Sequence, residues 1–512
     1  MTHEKYDIII IGTGAGGGTM ARALAPTGKR ILLLERGGFL PRERENWDTR
    51  SVYVEKRYVT HEQWYHDGKP FRPDIHYWVG GNTKMFGAAM FRLRAADFGE
   101  IRHEGGISPA WPITYQDMEP FYTLAEQWYS VHGQAGVDPT EPPRSAPYPH
   151  APLQHEPRVQ ELESDLRKLG YKPFPLPMGI RLGDENGQPA AVTIPSQFDG
   201  FPDLTESKAD AHVVGVKSAL EHANVTLKTH SYVERLETDT SGRKVTQVVV
   251  NRAGSQEMYE ADFVIVAAGA VNSAALFLRS KNDQHPNGLA NGSGLVGRNY
   301  MCHNNATFLA LSKEPNDSIF QKTLAISDFY QASADWEYPM GLIQMLGKVD
   351  AELMHFEAPE PLDGMTYEQM AKHSLDFWLQ SEDLPDPNNR ITLDANNNIV
   401  FHYQKNNLVA HHKLVEKLKS ILSYIGCHEH FIPIDYYLGT ELPFNLAHQC
   451  GTLKFGTDPM KSVLDIYCRP HELDNVYVTD GSFFVSAGAV NPSLTIIANA
   501  LRVADYLKKA VF

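Results

Sequence analysis

Two stretches near opposite ends of this 512-residue chain hold residues whose types and spacing could do chemistry. Near the C-terminus, Ala447-His448-Gln449-Cys450-Gly451-Thr452 is followed by Asp480-Gly481-Ser482 and then by Asn491-Pro492-Ser493. A neutral imidazole titrates close to neutral pH and can accept a hydroxyl proton. An Asn amide offers an oxygen acceptor and two N–H donors at one position. Asn before Pro, ahead of helically spaced Leu494, Ile497, Leu501 and Ala504, also reads as an N-cap with Pro at the first helical position. Asn491 is therefore expected to cap a helix with its oxygen and to donate to a substrate oxygen. With 22 histidines in the chain, His448 by itself would be an ordinary structural side chain.

At the other end, Tyr6-Asp7-Ile8-Ile9-Ile10-Ile11 has the continuous apolar look of a strand buried on both faces. Gly12-Thr13-Gly14-Ala15-Gly16-Gly17 follows, then a helical stretch through Leu24, then a second apolar strand Ile31 to Leu34 ending in Glu35. Gly12, Gly14 and Gly17 allow a tight turn and a close approach to a diphosphate, whose charge suits a helix N-terminus. Glu35 lies where a carboxylate accepts hydrogen bonds from an adenosine ribose, which disfavours a 2′-phosphate and hence NADP. These residues leave FAD and NAD both open.

Composition bounds the rest. The net charge is −15, which argues against a nucleic-acid or anionic-membrane surface. Cys302, Cys427, Cys450 and Cys468 show no paired spacing for a disulfide framework or a zinc site. No apolar run approaches the roughly 18 residues that span a bilayer, and no basic-then-apolar leader is seen. The expected location is cytoplasmic, with no metal, an oligomer being possible.

Between the two ends, Val79 to Arg92 is rich in small residues, with Gly80-Gly81 able to lie against a flat ligand. A proline-dense connector runs from Asp138 to Pro157, and Val159, Leu162 and Leu166 then share one helical face. The loop-like stretch to Phe201-Pro202 leaves room for a lid. Ala211 to Leu220 reads as helix. Phe263-Val264-Ile265-Val266-Ala267-Ala268-Gly269 is a second strand–Gly joint before a helix from Ser273 to Arg279. It points to one nucleotide domain assembled from separated segments. Thr307–Leu311, Leu342–Leu346, Leu375–Leu379 and Ile391–Leu393 suggest a largely antiparallel sheet, and Leu414 to Ile425 a helix ended by Gly426. Gln380 and Glu382, at the end of a strand, are expected at the surface. The expected division is 1–150, 206–300 and 441–512 for the cofactor domain, 151–205 as connector and 301–440 as substrate domain. The expected fold class is α/β, a Rossmann-like domain plus an antiparallel sheet covered by helices.

Taken together, Gly12 to Glu35, Val79 to Phe98, Phe263 to Ala275, Gly297-Arg298-Asn299 and the spaced set His448-x-x-Gly451-Thr452, Asp458-Pro459, Ser462-Val463, Asn475 to Ser482 and Asn491-Pro492 resemble the glucose–methanol–choline (GMC) oxidoreductase family. The short N-terminal lead, the His448/Asn491 pairing and Ser381-Glu382-Asp383-Leu384-Pro385 look most like its bacterial sugar and glycoside oxidases of the pyranose-oxidase type. The resemblance selects FAD over NAD and implies a six-stranded type of substrate sheet. By position, it places Gly12, Gly14, Gly17 and Glu35 on the ADP half and Val233 near the adenine. Gly81, Asn82 and Thr83 fall on the flavin and diphosphate side, with Ala268 at the second strand–Gly joint and Asp480 with Gly481 on the ribityl–diphosphate. Some members attach flavin through a histidine after the Gly-Gly pair. Met85 stands in that place here, so FAD is expected to be held non-covalently. Gly269 to Ser280 lacks the proline usual in the family's second signature.

The implied reaction removes a proton and a hydride from one CH–OH group, the expected substrate being a sugar or glycoside. His448 would take the proton, flavin N5 the hydride, and oxygen or a quinone the electrons. The alternatives are a non-redox lyase with a structural flavin, a dehydrogenase of a non-sugar alcohol using a quinone or protein acceptor, and a flavin-binding subunit without activity.

Overall fold

The structure is a computed structural model that describes residues 4–182, 197–357, 361, 364–427 and 447–512. Its central sheet starts from the apolar runs recognised above. Strand β1 (Glu4–Ile11) pairs in parallel with β2 (Ile31–Leu34), and β2 with β3 (Val225–Lys228). Ile8, Ile9 and Ile10 are wholly buried, as are Ile31, Leu32 and Leu33, the pattern of strands covered on both faces. An antiparallel meander, β4 (Ser231–Thr238) and β5 (Val245–Arg252), leads into the long β6 (Ser255–Val266). β6 runs parallel beside β1 along almost its whole length. Its other edge is shared: the first half pairs with β5, and Val264–Val266 pair with Val476–Val478. The seven-stranded sheet thus takes strands from three separated stretches of chain, in the order β3-β2-β1-β6-β5-β4 with Val476–Val478 on β6.

Helix α1 (Ala15–Leu24) leaves the first glycine turn, and α2 (Ala270–Arg279) leaves the joint at Gly269, where φ is +90°. A second sheet, antiparallel throughout, contains β7 (Asn304–Leu311), β8 (Leu324–Ile326), β9 (Leu342–Met345) and β10 (Ser374–Ser381). Its order is β7-β10-β9-β8, closed by the short strand Phe174–Pro175. Strand alternation gives this sheet two unlike faces. Ala306, Phe308, Ile343, Met345, Phe377 and Leu379 form one core with Leu414, Leu418 and Ile421 of α3 (Leu408–Tyr424). The alternate positions include Thr307, Gln344, Trp378 and Gln380. Helix α4 (Ser493–Tyr506), buried almost all round, packs against α1 and the helix Tyr115–Trp128.

Several expectations need correcting. The second sheet has five strands among the described residues. Ile391–Leu393 is not among them: Arg390–Leu393 pairs with Ile399–His402 in a separate four-stranded sheet. Gln380 and Glu382 are 0% and 4% exposed, because strand register and the segments around Ser108 and Gly488 enclose them. Ala211 to Leu220 is helical as expected, as a π-helix, His212–Val216, running into a short α-helix, Lys217–Leu220. The lid considered before Pro202 falls largely on residues 183–196, outside the described residues. Among the described residues no helix is long and apolar enough to cross a membrane.

Candidate active site

The turn from β1 to α1 is built by removing side chains where backbone must pass. Gly12 has φ +93°, and a Cβ there would lie 2.3 Å from the Ala267 carbonyl oxygen. A Cβ on Gly17 would lie 2.0 Å from the Gly12 carbonyl oxygen. Gly14 is different, since the nearest protein atom to a Cβ there would be the Gly80 oxygen at 4.0 Å. The space in front of Gly14 is a cleft of about 1290 Å³, counted to its open mouth. Gly12, Gly14, Glu35, Gly81, Asn82, Thr83, Val233, Ala268, Asp480 and Gly481 all line it. Gly17 does not: it faces β1, and its part is to let α1 approach the strand.

Two carboxylates set the shape of this cleft. Glu35 accepts from the Thr13 hydroxyl at 2.6 Å, the Thr13 amide at 3.2 Å and the Gly37 amide at 2.9 Å. Burial nevertheless raises its pKa against these donors. Asp480 bridges two joints, accepting from the Gly269 amide at 3.0 Å and the Ser482 amide at 2.9 Å. Thr83 donates to the Gly80 carbonyl at 2.6 Å and accepts from the Ala211 amide at 3.0 Å, which fixes the turn Gly81–Lys84. A side-chain-free helix N-terminus, a carboxylate at one end and a flat small-residue wall suit a dinucleotide with a planar ring system. The residues present fit FAD.

His448 stands at the far end of this cleft and also lines a second cavity, of about 1180 Å³ counted to its open mouth. Its backbone is left-handed, φ +62°, a conformation uncommon outside glycine. Asn491 lies in the second cavity, with its Nδ2 at 3.4 Å from His448 Nε2. Gln344 of β9 donates through Nε2 to Asn491 Oδ1 at 2.9 Å. The bond fixes the amide with its NH₂ toward His448, so Nε2 is left as the lone-pair nitrogen. Burial lowers the His448 pKa well below the ordinary imidazole value, with the charges of His303 and Lys322 acting in the same direction. The ring is therefore neutral at neutral pH and competent as a base.

The capping expectation for Asn491 is not met. Helix α4 begins at Ser493 with Pro492 in the cap position, and no side chain caps it. The amide oxygen meant for the cap is held by Gln344 instead. Pro492, Ser493 and Ile496 still border the cofactor cleft, so the positive end of α4 faces it.

Sequence reasoning overlooked Gln344, Trp378, His303, Lys322 and Asp199. Gln344 left a signal, a lone polar residue inside the apolar run Leu342 to Leu346. Trp378 Nε1 and Gln344 Oε1 are buried without a hydrogen-bond partner, and both residues line the second cavity. Lys322 and Asp199 form an ion pair in the same wall. A Cβ at Gly87 would lie 1.8 Å from the Asp199 carboxylate, so Gly87 is what admits the pair.

Comparison with known proteins agrees with this geometry. Family models described as GMC oxidoreductase match residues 6–305 and 385–500. The chain belongs to the GMC oxidoreductase family. Members are FAD-binding flavoproteins, and this GMC oxidoreductase is accordingly an FAD-dependent enzyme that oxidises alcohols. It is similar to the 6'''-hydroxyparomomycin C oxidase of Streptomyces lividus, 28% identical over 97% of this chain and 90% of that protein. It is also similar to the paromamine 6'-oxidase of Streptomyces fradiae, 28% identical over 98% and 90% of the two chains. The crystal structure of pyridoxine 4-oxidase from Mesorbium loti shares the fold, with TM-score 0.64 and 17% identity over 99% of this chain and 100% of that one.

Proposed function

We propose that this GMC oxidoreductase oxidises a CH–OH group on a sugar or glycoside, with His448 as the base and Asn491 as the substrate's hydrogen-bond donor. The observation that carries the reading is the Gln344–Asn491–His448 chain, set where the cofactor cleft and the second cavity meet. A substrate hydroxyl that replaces the direct Asn491–His448 contact would give its proton to the freed Nε2 lone pair, while the Asn491 N–H steadies the oxygen as charge builds. Bound FAD supplies the acceptor for the two electrons and the hydrogen leaving carbon. The second cavity's wall, with Gln344, Trp378, Lys322 and Asp199, offers donors and acceptors to further hydroxyls. That wall and the two relatives, oxidases named for aminoglycosides, favour a sugar-like substrate over a simple alcohol.

The ADP half of FAD would rest on Gly12, Gly14 and Glu35 with Val233 at the adenine. Gly81, Asn82, Thr83, Ala268, Asp480 and Gly481 would hold the diphosphate, ribityl chain and ring. Attachment is non-covalent, since Met85 follows the Gly81–Lys84 turn where a linking histidine would stand. Electrons pass to oxygen or a quinone, and the compartment is the cytoplasm, in keeping with four free, buried cysteines. The test is an anaerobic screen of sugars, aminoglycosides and simple alcohols for bleaching of the flavin absorbance, followed by reoxidation with oxygen or a quinone. Bleaching by simple alcohols alone would overturn the substrate class, and no bleaching by any of them would overturn the reaction.

A further inference from the structure

Glu382 and Asp383, directly beyond β10, are both buried, and neither faces the cofactor cleft or the second cavity. Their carboxylates reach different parts of the chain. Glu382 Oε1 accepts from the Gly488 amide at 3.1 Å and the Ser108 hydroxyl at 2.8 Å. Its Oε2 is 3.1 Å from His103 Nε2. Gly488 is three residues before Asn491, at φ +62°, in a segment also held by Trp111 on Ser486 and by the Tyr330 hydroxyl on the Ala489 amide.

Asp383 takes the other side. Its Oδ1 accepts from the His303 amide at 2.8 Å, and its Oδ2 from the Cys302 amide at 2.9 Å and the Tyr403 hydroxyl at 3.0 Å. That segment is bound to the loop of His448, because Met301 and Cys450 exchange both backbone hydrogen bonds, at 3.0 and 2.9 Å. The His303 ring stands edge-on to the His448 ring with centroids 5.2 Å apart, and its Nε2 is 3.3 Å from the Ala487 carbonyl oxygen. The loops bearing His448 and Asn491 lie 43 residues apart in the sequence, and both hang on one dipeptide.

We infer that Glu382 and Asp383 are positioning residues that set the spacing between His448 and Asn491, from the convergence of both loops on these adjacent buried carboxylates. Charged acceptors make shorter and stronger bonds to backbone N–H than neutral ones, and small displacements of reacting groups are costly. The dipeptide touches neither substrate nor flavin and acts only through the two loops. The inference rests on the proposed roles of His448 and Asn491.

The test uses full-length, FAD-loaded protein and anaerobic stopped-flow reduction by the substrate found in the screen. E382L is expected to slow flavin reduction by about 100-fold, with the substrate dissociation constant within about threefold and FAD content unchanged. E382Q keeps an acceptor for Gly488 but loses its charge, and is expected to be intermediate, about tenfold slower than the natural enzyme. D383N should behave like E382Q. In an N491A background E382Q should add less than about twofold, because the amide it positions is gone. Wild-type reduction in E382Q and D383N, or an undiminished effect of E382Q on top of N491A, overturns the inference. If E382L fails to retain FAD, E382Q and D383N decide the matter. A wild-type rate in N491A alone would overturn the reading of the site itself.

Discussion

Gln344 Nε2 donates to Asn491 Oδ1 at 2.9 Å, so a strand of the substrate sheet decides which way the amide beside His448 points. Without that bond the amide is free to flip and present its oxygen to the imidazole. Gln344→Leu should therefore slow flavin reduction by roughly 10- to 100-fold, the range for displaced catalytic groups, measured by anaerobic stopped flow. Wild-type reduction in that variant would show the bond to be incidental.

His448→Ala should lower the reduction rate by about 10²- to 10⁴-fold, the usual worth of a positioned base, while FAD stays bound. The absorbance spectrum and the reduction trace read both outcomes. A variant that reduces normally would put the base elsewhere.

The pH profile follows from the lowered His448 pKa. A base with a lowered pKa stays unprotonated as pH falls through the ordinary imidazole value of 6.5, so the reduction rate should hold there and fall only in more acidic solution. Lys322 contributes a charge that disfavours the imidazolium. Lys322→Met should move the acid limb upward, toward 6.5. A downward or absent shift in the pH dependence of reduction would contradict it.

Gly14→Ala and Gly17→Ala separate cofactor grip from folding. A Cβ at Gly14 meets no protein atom nearer than 4.0 Å, so the variant should fold and lose FAD affinity. A Cβ at Gly17 lies 2.0 Å from a carbonyl oxygen, so backbone must shift and the apoprotein itself should lose a few kcal/mol. Thermal melting of the two apoproteins, with FAD titration, distinguishes them.

The first glycine turn, the paired apolar strands and the His448 loop were legible because each rests on local rules: strand, turn and helix in sequence order. The α3 face and the Val159–Leu166 helix followed from period alone. The surface position expected for Glu382 failed because its burial comes from Gly488 and Ser108, which are far away in sequence. The Asn491 cap failed for a related reason, since Gln344 competes for the same oxygen from another sheet. Ile391–Leu393 had the composition of a strand, but nothing local says which of two sheets it joins.

The double edge of β6 has a consequence for how the enzyme is made. Residues 4–35 and 255–266 can assemble during synthesis, but Val476–Val478, Asp480 and the start of α4 are translated much later, and they wall the cofactor cleft. Until those segments dock, the cleft lacks the wall that Asp480, Gly481 and the start of α4 supply. A chain in which those segments have not yet docked therefore offers FAD only part of the cleft.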